Sequence, residues 1–163
     1  MTYPDQLTAA CARMTGRASL SQLPVSRLAA ADVIKKGWFS QSLASLYRAA
    51  DNGRFYCTTL NGRRIGKEFP LWQFVAPVPE LIAPVLCQLA DQPGSEIHAF
   101  WGAAVDELNE LSPAEVLAGK PFETRSALHA SQRALLDMPP ALRLRRVLIS
   151  ASRFHKGYAN SVG

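Results

Sequence analysis

The chain has 163 residues, 48% of them apolar and 19% charged, with a net charge of +5. That length suits one domain or two small ones, and the apolar share argues against disorder over most of the chain. No apolar run approaches the roughly 20 residues that cross a bilayer, and Met1 to Arg17 lacks the basic head and apolar stretch of a secretory signal, so a cytoplasmic protein without membrane contact is expected.

Charge is unevenly spread. Residues 1–70 carry ten Lys or Arg against four Asp or Glu, residues 71–123 one against eight, and residues 124–163 seven against one. An acidic middle thus lies between two basic ends. Cys11, Cys57 and Cys87 are far apart, without a CxxC pair or a neighbouring His, so they are expected to be small apolar fillers, with no metal and no cofactor.

Residues 1–25 mix small and polar types and end near Pro24, which predicts a flexible N-terminal arm. Ser26 then offers an N-cap to a short helix carrying Leu28, Ala31 and Ile34 and stopped by Gly37. Ser40 is the expected cap of a second helix, with Leu43, Leu46, Tyr47 and Ala50 on its apolar face and Gln41, Ser45 and Arg48 opposite. Asn52-Gly53 ends it. Arg54 to Leu60 is rich in aromatic and β-branched residues, and Asn61-Gly62 before Arg63-Arg64-Ile65 predicts a hairpin with a two-residue type I′ turn.

Phe69-Pro70-Leu71-Trp72-Gln73-Phe74 is too aromatic for a solvated linker and should plug against a core. Apolar spacing predicts helices at 79–91, 95–109 and 112–119, the last opened by Ser112-Pro113-Ala114-Glu115 as a capping box with Pro at the first helical position. Two more are expected at 124–136 and 141–154, the latter with Arg143, Arg146 and Arg153 on one face, before a frayed tail at 155–163. The fold class is therefore mainly α: a helical bundle with one small β-hairpin.

Two short helices joined through Gly37 and followed by a basic hairpin form the sequence of a winged helix-turn-helix over 26–74. Ser40, Gln41, Ser45 and Arg48 are the candidate base-reading residues, and Arg63 and Arg64 the candidate phosphate contacts. The equally ordinary alternative is a solvated basic turn. The acidic segment will not bind a polyanion, so its partner is a protein or a second copy, with Trp72, Phe74, Phe100 and Trp101 as candidate anchors. Arg143 and Arg146 in the basic tail are further candidate partner contacts.

Several stretches carry a family resemblance: Gly37-Trp38-Phe39-Ser40-Gln41-Ser42-Leu43, Gly53-Arg54-Phe55, Gly62-Arg63-Arg64 and Phe69 to Phe74, then Pro84-Val85-Leu86, the Trp101 helix, and Leu108 to Leu117. Over about residues 26–120 the chain resembles Xre/MbcA/ParS-type antitoxins with their toxin-binding domain. The resemblance implies a homodimeric antitoxin that neutralises a toxin, often a RES-fold NAD-degrading enzyme, and binds operator DNA to repress its own promoter. It implies that 75–154 is the toxin-binding and dimerisation domain. The family's usual Leu-x-Gly-x-Thr-Pro turn reads Leu108-Asn109-Glu110-Leu111-Ser112-Pro113 here, without the glycine, and a basic stretch follows where the family often ends. That stretch could dock on a partner, bind DNA or extend a dimer contact. His98, His129 and His155 are scattered and no catalytic motif assembles, so no enzymatic activity is expected. The alternative to the regulator is a protein-only adaptor of the same fold without DNA binding.

Overall fold

The computed structural model describes residues 20–59 and 66–161, with side chains as far as Gly157. In chain order the elements are β1 (Arg27–Ala29), α1 (Ala30–Lys35), α2 (Leu43–Asp51), β2 (Thr58–Thr59), β3 (Lys67–Pro70), a 3-10 turn (Leu71–Phe74), α3 (Val78–Gln88), α4 (Gly94–Gly102), a second 3-10 turn (Asp106–Leu108), α5 (Pro113–Ala118), α6 (Ala130–Leu136) and α7 (Pro140–Ser161). The fold is mainly helical with one small antiparallel sheet. No described helix is long and apolar enough to cross a membrane.

The sheet has the order β1-β3-β2. The segment after Ser26 begins as a strand rather than a helix, because Leu28 pairs with Phe69 and Ser26 O accepts from Leu71 N at 3.0 Å. In so short an apolar run, periodicity alone does not separate strand from helix. β2 and β3 pair as the predicted hairpin, with Thr59 opposite Lys67. A two-residue turn at Asn61-Gly62 would instead set Thr59 opposite Arg64, so the described register differs from the one expected. Asn61, Gly62 and Ile65 lie outside the described residues, as do Cys11 and residues 1–19 of the expected arm.

Residues 20–25 are not a loose arm. Leu23 is fully buried, its N–H donates to Pro121 O at 2.8 Å, and its carbonyl accepts from Glu123 N at 2.9 Å. That pairing, with the pull of Arg125 described below, keeps residues 121–129 out of helical conformation, and the helix expected from 124 begins only at Ala130. The helix expected over 95–109 stops at Gly102, and the 155–161 part of the expected frayed tail continues α7. Cys57 is half-buried and Cys87 exposed, so the latter is no core filler.

Two apolar cores result. The first joins Ala30, Val33, Leu46, Ala49, Phe55, Phe69, Leu71 and Phe74. The larger second gathers Leu23, Tyr56, Trp72 and apolar side chains of α3 to α7. The 3-10 turn is the seam, sending Leu71 and Phe74 into one core and Trp72 into the other. Gln73 between them is fully buried: its side-chain amide accepts from Tyr56 N at 3.0 Å and donates to Tyr56 O at 2.8 Å, closing a backbone-like pair. The aromatic plug expected from the sequence is thus shared by both halves. Across the sheet, α4 comes so close that a side chain on Gly94 would lie 3.1 Å from Cys57 O.

Candidate functional site

The predicted DNA-facing residues are brought together only in part. Ser42, not Ser40, caps α2: its Oγ accepts from Ser45 N at 3.2 Å and pairs with Ser45 Oγ at 2.9 Å. Ser40 and Gln41 are exposed just ahead of the helix, Ser45 is half-buried with its hydroxyl engaged by the cap, and Arg48 is exposed on the last turn. The helix is rotated from the expected face. It buries Leu46 and Ala49, while Leu43 and Tyr47 are 41% and 38% exposed. Arg63 and Arg64 lie outside the described residues. Exposed Lys35, Arg54 and Lys67 add positive charge to this half of the molecule, which a search restricted to one helical face passes over.

Five of the six candidate partner contacts are interior. Trp101 is 0% exposed and Trp72 3%, with ring centroids 4.9 Å apart, and Phe74 stacks on Phe55 at 4.9 Å in the first core. Phe100 is buried as well. An aromatic on an apolar helical face is consumed by the fold when other elements cover it, and here Trp72 packs on Trp101 and Phe154 of α7 on Phe100, with ring centroids 4.9 and 5.3 Å apart. Arg143, 5% exposed, donates from Nε to Met138 O at 2.9 Å and from Nη1 to Val116 O at 3.2 Å and Leu117 O at 2.9 Å. It therefore satisfies carbonyls left open at the C-terminal end of α5, where a cation also complements the helix dipole. Gly119, at φ +69°, leaves the room: a Cβ there would collide with the Arg143 guanidinium. Arg146 alone of the six is exposed.

A polar chain crosses the seam. Trp72 Nε1 donates to Tyr56 Oη at 3.2 Å, and Tyr56 Oη lies 2.9 Å from His98 Nδ1. The buried tyrosine proton needs an acceptor, which a neutral His98 protonated on Nε2 supplies. Burial lowers the His98 pKa, as does the nearby Arg27, and burial pushes the Tyr56 hydroxyl well above its ordinary value. This chain is structural: it ties the residue before the hairpin to α4.

The second half has its own polar centre. Glu115, 1% exposed, accepts from Ser112 N at 3.1 Å, Ser112 Oγ at 3.0 Å and Phe122 N at 3.0 Å, and bidentately from Arg125 at 2.7 Å to each oxygen. Burial alone would raise its pKa, but the Arg125 and backbone hydrogen bonds outweigh burial and hold the carboxyl below the usual range. The capping box expected at Ser112 is present, and its glutamate also holds the 122–125 segment. Arg125 and Glu115 form the floor of an open cleft of about 530 Å³ with Thr124, Ser126 and His129 at its sides. The pair neutralises itself there, leaving neither a free carboxylate nor a free guanidinium fork for chemistry.

The turn between α4 and α5 is the remaining unusual feature. Val105 N donates to Leu111 O at 3.1 Å, and Asn109 and Glu110 both take positive φ, 55° and 65°. Gln132 Nε2 clamps the turn by donating to Asn109 O at 2.9 Å. The hydrogen bond and negative charge of Asp106 push the Glu110 carboxyl up. Asn109 is of a type that takes the left-handed region readily, whereas a left-handed Glu is uncommon, so residue type alone does not mark Glu110. No family model, no curated protein and no solved structure matches the chain.

Proposed function

We propose that this chain is a non-enzymatic regulator of the antitoxin type, which binds operator DNA through residues 26–74 and neutralises a partner toxin through the helical part that follows. The observation that carries the DNA half is topological. β1, α1, α2 and the β2–β3 hairpin follow in turn with strand order β1-β3-β2, so a short helix pair is braced by an antiparallel sheet. In a winged helix-turn-helix the second helix would enter the major groove and the hairpin tip would meet phosphate. Exposed Gln41 and Arg48 at α2, with Arg63 and Arg64 between the paired strands, suit those two jobs.

The toxin half rests on the resemblance, and one detail supports it. Glu110 stands where the family's turn has glycine, and it holds φ 65°, the left-handed conformation that glycine adopts without cost. The turn takes a conformation suited to glycine without the residue. A second reading, a protein-only adaptor, is favoured by the outward face of α2, where exposed Leu43 and Tyr47 suit a protein surface better than base edges.

Anisotropy titration of the chain against the DNA upstream of its own gene separates the two. The regulator binds, its affinity falls steeply with salt, and Arg48→Ala reduces the log–log salt slope by about 1. The absence of salt-sensitive binding to any upstream fragment leaves the adaptor.

A further inference from the structure

The outward face of α7 has no cover among the described residues. At roughly 100° per residue, Leu142, Arg145, Arg146, Ile149, Arg153 and Lys156 fall within an arc of about 100°, opposite the buried Val147 and Ala151. All six are exposed, Leu142 by 42% and Ile149 by 47%. Leu142 and Ile149 thus stand two turns apart, at i and i+7, on one arc framed by four cations.

Beside this strip lies charge of the other sign. Arg153 pairs with Glu107 on the 105–111 turn, and Asp106 and Glu110 crowd together there with no described cation on their carboxylates. Between strip and turn runs a groove of about 440 Å³, floored by Phe100, Val105 and Phe154. Ser150 Oγ, buried and without a described partner, lines it. A cationic stripe, an apolar floor and an acidic turn thus stand side by side on one surface.

That order selects the partner. A nucleic acid following the strip to Arg153 would meet the repulsion of the 105–111 turn, because Glu107 pairs with Arg153 itself and Asp106 and Glu110 stand on the same turn, where screening at physiological salt acts only beyond about 8 Å. An acidic protein would meet the same repulsion and leave the turn uncompensated. Two adjacent stripes of opposite sign are, however, self-complementary under a two-fold axis, which sets each against its opposite number twice over. The groove calls for a segment alternating aliphatic side chains with cations, and the outward arc of α7 has that chemistry.

We propose that this face joins two copies of the chain, with Leu142 and Ile149 of each copy on the apolar floor of the other and Arg145 and Arg146 at its Asp106 and Glu110. The interface deepens the regulator reading, which implies two copies, and stands independently of its DNA half.

Sedimentation equilibrium of the full chain tests it by charge exchange. Wild type is a dimer in the micromolar range and loosens with salt. Arg145→Glu with Arg146→Glu, and separately Asp106→Arg with Glu110→Arg, each weaken self-association at least about tenfold, the scale of 1.4 kcal/mol. Mixing the two variants restores a dimer, since both contacts in the mixed pair are again opposite in sign. A monomeric wild type, a dimer indifferent to both reversals, or a mixture that stays monomeric overturns the interface. Circular dichroism checks that each variant folds; should the turn variant not, Leu142→Asp with Ile149→Asp must break the dimer instead, and an intact dimer then overturns it. A monomer that binds DNA sinks the interface alone, whereas a dimer that binds none sinks the DNA half alone.

Discussion

The two cores use their polar residues in opposite ways. In the first, Thr58 and Gln73 are the buried polar residues of its stretch of chain among the described residues, and every described Lys and Arg there stands outside. In the second, Glu115, Gln132 and Arg143 are drawn inward, each hydrogen-bonded to main chain, and seal the ends and loops around α5. All six residues of α5 are buried, so it is the axle of that half. A binding surface needs polar groups that the fold has not already used. The first unit offers them on α2 and beside the hairpin, and the second most densely on the outer arc of α7 and the 105–111 turn.

The sharpest way to break this comparison is at Trp101. If it is interior, Trp101→Ala costs about 3–5 kcal/mol in chemical denaturation, because a large side chain packed on Trp72 and Phe100 is lost without collapse of the surrounding helices. Its indole N–H has no described partner, so the cost is one of packing rather than of hydrogen bonding. A loss below about 1 kcal/mol would return Trp101 to the surface as an anchor.

Glu115 comes next. Glu115→Gln should cost about 2–3 kcal/mol: the carboxylate is buried, but Arg125 keeps a quarter of its side chain in solvent and recovers some hydration. The pH dependence gives a second signature. The folded-state pKa of Glu115 lies below its unfolded value, so the unfolded chain binds more protons between the two. Its contribution is complete above about 4.3 and is lost as pH falls through the folded value. Urea melts from pH 6 downwards should show wild type losing stability in that acid window and Glu115→Gln losing less. Parallel losses would mean that another carboxylate controls acid unfolding.

What the sequence made legible was local. The Ser112 box, the helix stop at Asn52-Gly53 and the strands of the hairpin depend on residues within a few positions of one another, and each is present. What it hid was settled by distant chain. Leu23 docks on Pro121 to Glu123, Arg125 reaches Glu115, Trp72 packs on Trp101 and Phe154 of α7 on Phe100, so an arm, a helix start and a set of anchors were misplaced together. The candidate site suffered most on α2. A helix of nine residues with Leu43, Leu46, Tyr47 and Ala49 offers two overlapping apolar faces, and the choice between them depends on where Phe69 and Phe74 lie. Gln41 and Arg48 survive either rotation because one precedes the helix and the other is outside both faces.

The smallest expected effect bears on whether the second half spends stability at its surface. Glu110 holds a left-handed conformation that disfavours any residue with a Cβ, and it holds it beside Asp106. Glu110→Gly relieves both, against the greater backbone freedom that glycine gives the unfolded chain. Relief should win, with a melting temperature higher by roughly 2–4 °C, the scale of a small stabilisation in a chain of this size. The same substitution removes one acidic contact from the proposed two-fold face. Sedimentation should therefore show weaker self-association in a protein that melts higher. Stabilisation with unchanged association would make the turn a plain relic of backbone geometry. Weaker association at a higher melting temperature would mean that Glu110 is held in a costly conformation for the sake of the contact it makes.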